Sequence, residues 1–165
     1  MPSQSRQKDI LGLIGWLITC FAVSAFGALA TLQAGPFYKQ LIQPSWAPPS
    51  WLFGPVWTTL YTMMAIAAWL VWRSGGFRSN RTALSLFLVQ LGLNGIWSWI
   101  FFTWNLGLAA LADIILLWLL IAATLVRFRR VRPLAGILLI PYLLWVGFAA
   151  ALNHALWQLN PGILG

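Results

Sequence analysis

The residues able to do chemistry in this chain are few, and most are uncharged. Trp57, Tyr61 and Met64 are spaced four and three apart, and Gln90, Asn94, Trp97 and Phe101 recur at four, three and four. Further on, Tyr142, Trp145, Ala149 and Leu152 fall on one helical face, with Asn153 at its flank. Carboxamides and aromatic rings so arranged can bond and stack between helices, or they can wall a pocket for a flat, apolar ligand with a polar edge. Spacing alone leaves both readings open.

Conventional catalysis has little to draw on. Asp113 is the only acid inside an apolar run, and an ionisable residue there points by default to function. It lies about two helical turns from Trp104-Asn105, however, where an interfacial structural role serves as well. No second carboxylate or basic partner in an apolar run supports a proton relay. His154, the only histidine, comes nine positions after Trp145, so steps of about 100° place it on the opposite side of that helix. Cys20 stands alone in an apolar run and reads as a small buried side chain. Metal-ligand spacings, a haem-attachment motif, a Ser–His–Asp set and a phosphate-binding glycine loop are all missing. No metal and no required cofactor is expected.

The elements that must position these residues are helices in a membrane. Of 165 residues, 61% are hydrophobic and 7% charged, and the mean hydropathy is +0.81. A soluble domain carries about 25% charged residues; this chain could not clothe a surface facing water. A helix needs about 20 apolar residues to cross about 30 Å of hydrocarbon. Five segments qualify, and they make the chain a single all-α domain, a five-helix transmembrane bundle: 10–32, 51–72, 84–102, 106–126 and 134–157. The first is too long for the apolar core of a signal peptide and lacks a cleavage site after it, so it reads as a retained helix. Gly35, Pro36, Pro44, Pro48 and Pro49 mark a loop after it. Trp104-Asn105 must form a tight hairpin, and Pro141 should kink the last span.

Nine of the ten basic residues fall on one side of such a bundle: Arg6, Lys8, Arg73, Arg78, Arg81, Arg127, Arg129, Arg130 and Arg132. Lys39 alone falls on the other. The positive-inside rule then predicts a bacterial inner membrane protein with its N-terminus in the cytoplasm and its C-terminus and proline-rich loop outside. The net charge of +8 suits anionic lipid headgroups. A nucleic-acid partner is not expected, since no stretch forms a soluble basic face.

Three motifs carry a resemblance. The stretch from Gln43 through Pro44, Trp46, Pro48, Pro49, Trp51, Gly54, Pro55 and Trp57 to Tyr61 is the first. It is followed by Gln90-Leu91-Gly92-Leu93-Asn94-Gly95-Ile96-Trp97 with Phe101-Phe102, then by Pro141-Tyr142-Leu143-Leu144-Trp145 with Phe148-Ala149 and Leu152-Asn153. In these the chain resembles the translocator protein family, the tryptophan-rich sensory proteins that include the peripheral-type benzodiazepine receptor. The resemblance runs over essentially the whole length. It implies a five-helix bundle, usually a homodimer, with a cavity closed by the first loop. The ligands it implies are porphyrins such as protoporphyrin IX and synthetic isoquinoline carboxamides and benzodiazepines, with cholesterol in animal members. Carried over, the pocket would include Trp57, Asn94, Trp97, Trp145 and Ala149, with Tyr38 in the lid. Tyr61, Gln90 and Tyr142 join them on spacing.

Two departures qualify what the resemblance implies. The Leu/Val–Tyr–Lys/Arg pattern is missing near the end of the last span, where His154 replaces an aromatic; this weakens the case for a sterol. The small-xxx-small pattern of some bacterial members is also missing from the third span, where Ala83 is followed by Phe87 and Ser85 by Val89. A dimer would need another seam.

The function expected is therefore a membrane receptor or sensor for tetrapyrroles, serving their transport or a stress response. Lys39 is the one cation available to a propionate on that side. The alternative is light- and oxygen-dependent porphyrin breakdown, in which Trp57 and Trp145 would take part. A transporter of the usual kind would show inverted repeats or paired broken helices, and neither is present.

Overall fold

The structure, a computed structural model, describes residues 2–32 and 34–165. The polypeptide is helical nearly throughout, with no strand among the described residues. Helix α1 spans Pro2–Ala30, the short α2 Ala34–Gln40, α3 Phe53–Trp72 after a tight turn at Ser50–Leu52, and α4 Gly76–Ser98. Then come α5 (Gly107–Val131), α6 (Pro133–Leu138), α7 (Ile140–Leu159) and α8 (Pro161–Leu164). Among the described residues five stretches are long and apolar enough to cross a bilayer: Arg6–Ala30, Ser50–Trp72, Gly76–Thr103, Gly107–Val131 and Pro133–Leu159.

Several helices overrun their apolar runs. Backbone hydrogen bonding propagates past the hydrocarbon as long as nothing breaks it. The third therefore begins at Gly76 instead of near Leu84, and the fourth continues past Val126 to Val131. Asn105 supplies the sharp turn between them with φ of 54°, a left-handed conformation that asparagine tolerates. In the last span the break falls at Leu139, two residues before Pro141. Proline lacks an N–H and crowds the preceding turn, so the interruption appears upstream of the ring.

The helices close into a ring in which α1 packs on α3 and α4, α5 on α4, α6 and α7, and α3 on α6. The arginine-rich end is dense. Met64, Ala65, Ala67, Ala68 and Val71 of α3 are sealed there against Leu84, Phe87, Ile121 and Phe128. The alanines let neighbouring backbones approach closely. Asp9 pairs with Arg73 at 2.8 Å, and the Arg73 guanidinium lies 4.6 Å from the Trp69 ring centre. A second, smaller cluster at the opposite end joins Tyr38 and Leu41 to Phe101, Ala110, Leu152, Leu156 and Leu164. Large apolar side chains such as Leu11, Ile18, Leu29, Leu119 and Leu144 point outward, the reverse of a soluble protein and right for a lipid solvent.

Candidate functional site

The space between the two clusters is the candidate site. α3 packs broadly on α6 but touches α7 only slightly, so the bundle splays toward the lid end and encloses a cavity of about 580 Å³. Its walls come from α1, α2, α3, α4 and α7.

Aromatic rings build much of the wall. Trp57 lies 5.6 Å from Tyr61 and 6.3 Å from Tyr142, centre to centre. Trp145 meets Phe53 at 6.0 Å and Phe148 at 5.4 Å. Trp97 stacks on Phe101 at 5.3 Å, and its indole N–H donates to Asn153 Oδ1 at 3.2 Å, while Asn153 Nδ2 donates to the Gly107 carbonyl at 3.0 Å. Asn153 thereby ties α4 and α7 to the start of α5.

Beneath the cavity runs a polar chain. Asn94 Nδ2 donates to Tyr142 Oη at 3.0 Å, and the Tyr142 hydroxyl donates to Gln90 Oε1 at 2.7 Å. Among the described residues two buried side-chain donors remain without a partner, Gln90 Nε2 and the Trp145 indole N–H. The second belongs to a residue on the cavity wall, and an orphaned buried donor is costly unless something occupies the space beside it.

The lid is held at several points. Tyr38 is 5% exposed and donates to the Pro48 carbonyl at 3.3 Å; burial pushes its phenol above the ordinary tyrosine range. Gln43 donates back to the Tyr38 carbonyl. Trp46 meets Phe148 edge-on at 5.7 Å.

Of the residues singled out from sequence, the structure brings Tyr38, Trp57, Tyr61, Asn94, Trp97, Trp145 and Ala149 to the cavity. Gln90 and Tyr142 do not line it. They lie deeper, 1% and 0% exposed, where they orient Asn94. Lys39 is exposed and does not border the cavity, and among the described residues no charged side chain lines it. Asp113 on α5 stands apart from it. His154 is exposed and 6.1 Å from Trp157, away from the wall that Trp145 builds. Among the described residues no cluster of His, Cys, Asp or Glu could hold a metal ion.

Several lining residues escaped the sequence reading, Phe53, Gly54, Thr58 and Ser98 among them. Ser24, Gly27, Ala28 and Thr31 of α1 line the cavity; their spacing at i, i+3, i+4 and i+7 was a usable signal, though a faint one beside the other small residues Ala22, Ala25 and Ala30. Phe102 lines it as well, while Phe101 is buried in the lid-end cluster. A π-helical turn over Trp99–Thr103, with the Trp104 N–H bonded to the Trp99 carbonyl at 2.9 Å, rotates the end of α4 out of simple helical register.

Comparison with known proteins decides the family. The TspO/MBR family model matches residues 16–158. The chain belongs to the TspO/MBR family. It is 44% identical over 156 residues to the tryptophan-rich protein TspO of Chlorobaculum tepidum, covering 93% of this chain and 99% of that protein. It is also 44% identical over 148 residues to the translocator protein of Homo sapiens, covering 88% and 86%. The tryptophan-rich sensory protein of Cereibacter sphaeroides is 37% identical over 145 residues, covering 88% and 89%. With five apolar spans and TspO/MBR membership, this is an integral membrane protein.

Proposed function

We propose that the protein is a membrane receptor for a tetrapyrrole of the protoporphyrin IX class, held in the cavity under the lid. The observation that carries this reading is an uncharged cavity of about 580 Å³ bordered by the indoles of Trp57, Trp97 and Trp145. Ligand sites run from about 300 to 1,000 Å³ and are mainly apolar with a few placed polar groups. Indole faces suit a flat macrocycle, and the free Trp145 N–H offers a bond to an acceptor on it. With no cation at the wall, the propionates would stay at the mouth, in contact with water or headgroups. The words "translocator" and "sensory" in the names of relatives fit a ligand-responsive role. The basic end of the bundle would face the cytoplasm of a bacterial inner membrane.

Light-driven breakdown of the bound macrocycle is favoured by one feature, the two indoles of Trp57 and Trp145 on the wall of a single cavity. Titration of protoporphyrin IX into the purified protein, followed by tryptophan fluorescence, tests the receptor reading. Saturable quenching is expected, weakened modestly by Trp57→Phe and Trp145→Phe and unchanged by His154→Ala. Equal affinity in the double phenylalanine variant would put the ligand elsewhere. Loss of a light-dependent product in that variant, with binding retained, would favour breakdown.

A further inference from the structure

The cavity is bordered at the lid end by the buried Tyr38 and on another side by residues of α1 and α3. Helices α1 and α3 pack tightly near the arginine-rich end, where a Cβ on Gly12 would collide with the Trp72 ring and the Trp69 indole donates to the Asp9 carbonyl at 2.8 Å. Farther along, Phe21 meets Tyr61 at 6.4 Å. Beyond that pair the cavity itself lies between the two helices, bordered by Ser24, Ala28 and Thr31 on one side and Gly54 and Thr58 on the other. Ala28, Gly54 and Thr58 line this space and are themselves exposed. A Cβ added to Gly54 would meet nothing within 4 Å. Trp51, 71% exposed, stands at the rim, in the interfacial position that tryptophan favours.

We infer that this gap between α1 and α3 is the entrance of the cavity, and that it admits ligands dissolved in the lid-side leaflet of the bilayer. Depth supports it. Ser24 lies six residues from the Ala30 end of its span and Thr58 eight from the Ser50 end, about 9 and 12 Å into the membrane at 1.5 Å per residue. The gap therefore opens onto acyl chains as well as headgroups. Its chemistry fits too. The Thr31 and Thr58 hydroxyls each donate at 2.9 Å to a carbonyl of their own helix, those of Ala28 and Gly54. Both rims can thus present methyl groups, and a lipid-dissolved ring crosses without recovering a hydration shell. The lid side offers the opposite: Leu41 is 4% exposed, and Asn160 bonds both backbone groups of Ile42. The inference concerns any apolar occupant of the cavity and does not rest on the tetrapyrrole reading.

The test uses the full chain in proteoliposomes, with Cys20→Ala to remove the native thiol and Ser98→Cys as a reporter on the cavity wall. Bilayer-soluble pyrene maleimide should label this thiol at least tenfold faster than a quaternary-ammonium methanethiosulfonate added from water. Filling the gap with Ala28→Phe and Gly54→Phe should slow the pyrene reagent at least tenfold and leave the charged one as it was. Asn160→Ala should raise labelling by the charged reagent, showing that the thiol is reactive once the lid is loosened. Gly54→Leu alone, at a position with open space, serves if the double variant does not fold by circular dichroism and size exclusion. The inference is overturned if the charged reagent matches the pyrene reagent in the parent, if neither labels it, or if a folded gap-filling variant reacts with pyrene maleimide at the parent rate.

Discussion

Asn160 grips the backbone of Ile42 with both ends of its carboxamide. Its Oδ1 accepts from the Ile42 N–H at 2.8 Å, and its Nδ2 donates to the Ile42 carbonyl at 2.9 Å and to Leu156 at 2.8 Å. Residues 118 apart in sequence are thereby joined, and the residue that caps the end of α7 becomes the latch of the lid. The Leu156 carbonyl accepts from the Asn160 N–H as well, at 3.1 Å, so backbone and side chain of one residue close the end of α7 together.

Replacing that latch should release the lid without unfolding the bundle, because the dense core lies at the other end. Each hydrogen bond is worth about 0.5–1.5 kcal/mol net, so Asn160→Ala should lower hydrogen-exchange protection at the Ile42 amide roughly tenfold or more. Asn160→Asp keeps the acceptor and loses the donor, and its effect should be comparable. Unchanged protection in both variants would mean that apolar packing alone holds the lid.

The chain from Asn94 through Tyr142 to Gln90 predicts a stability effect with a sign that depends on how it is cut. Tyr142→Phe strands Asn94 Nδ2 and Gln90 Oε1 in a buried site, and each stranded group costs about 1–3 kcal/mol. Replacing all three members together, with Gln90→Leu and Asn94→Leu added, removes the stranded groups and should recover much of the loss. Unfolding in mixed micelles reads both. Equal destabilisation by the single and triple variants would show that shape, not hydrogen bonding, is what the site requires.

Gly107 supports the lid-end cluster by having no side chain. A Cβ there would lie 2.7 Å from Trp157 Cδ1 and 2.9 Å from the Leu164 carbonyl oxygen. Gly107→Ala should displace α8 at a cost of about 1–3 kcal/mol and expose the Leu164 amide, which now donates to the Asn160 carbonyl at 2.9 Å. Hydrogen exchange at Leu164 is the measurement, and full protection in the variant would refute the tight fit.

The proposed orientation has its own check. With Cys20 replaced, single cysteines at Ser79 and Arg130 should be shielded from an impermeant thiol reagent in intact cells, while one at Gly162 should react. The reverse pattern would invert the topology and leave the five spans untouched.

Much of the fold was legible in the residues themselves. Long apolar runs with so few charges admit only a membrane solvent, and spacings of three and four name the inward faces of three helices, because both signals are local and repeat with the helical period. The same periodicity set His154 on the side of its helix away from Trp145, and the structure places it outside the cavity wall. What only the tertiary structure decided depends on how helices lean and where they break. Gln90 and Tyr142 share faces with Asn94 and Trp145, yet depth along the bundle puts them under the cavity instead of in its wall. The π-helical turn after Ser98 sends Phe102 to the cavity and Phe101 into the lid-end cluster. α1 contributes a wall because it diverges from α3 beyond Phe21 and Tyr61, and Asn160 becomes a latch because the chain returns to Ile42. Periodicity fixes direction around one helix axis; it carries no information about the distance between two axes, and the cavity is made of that distance.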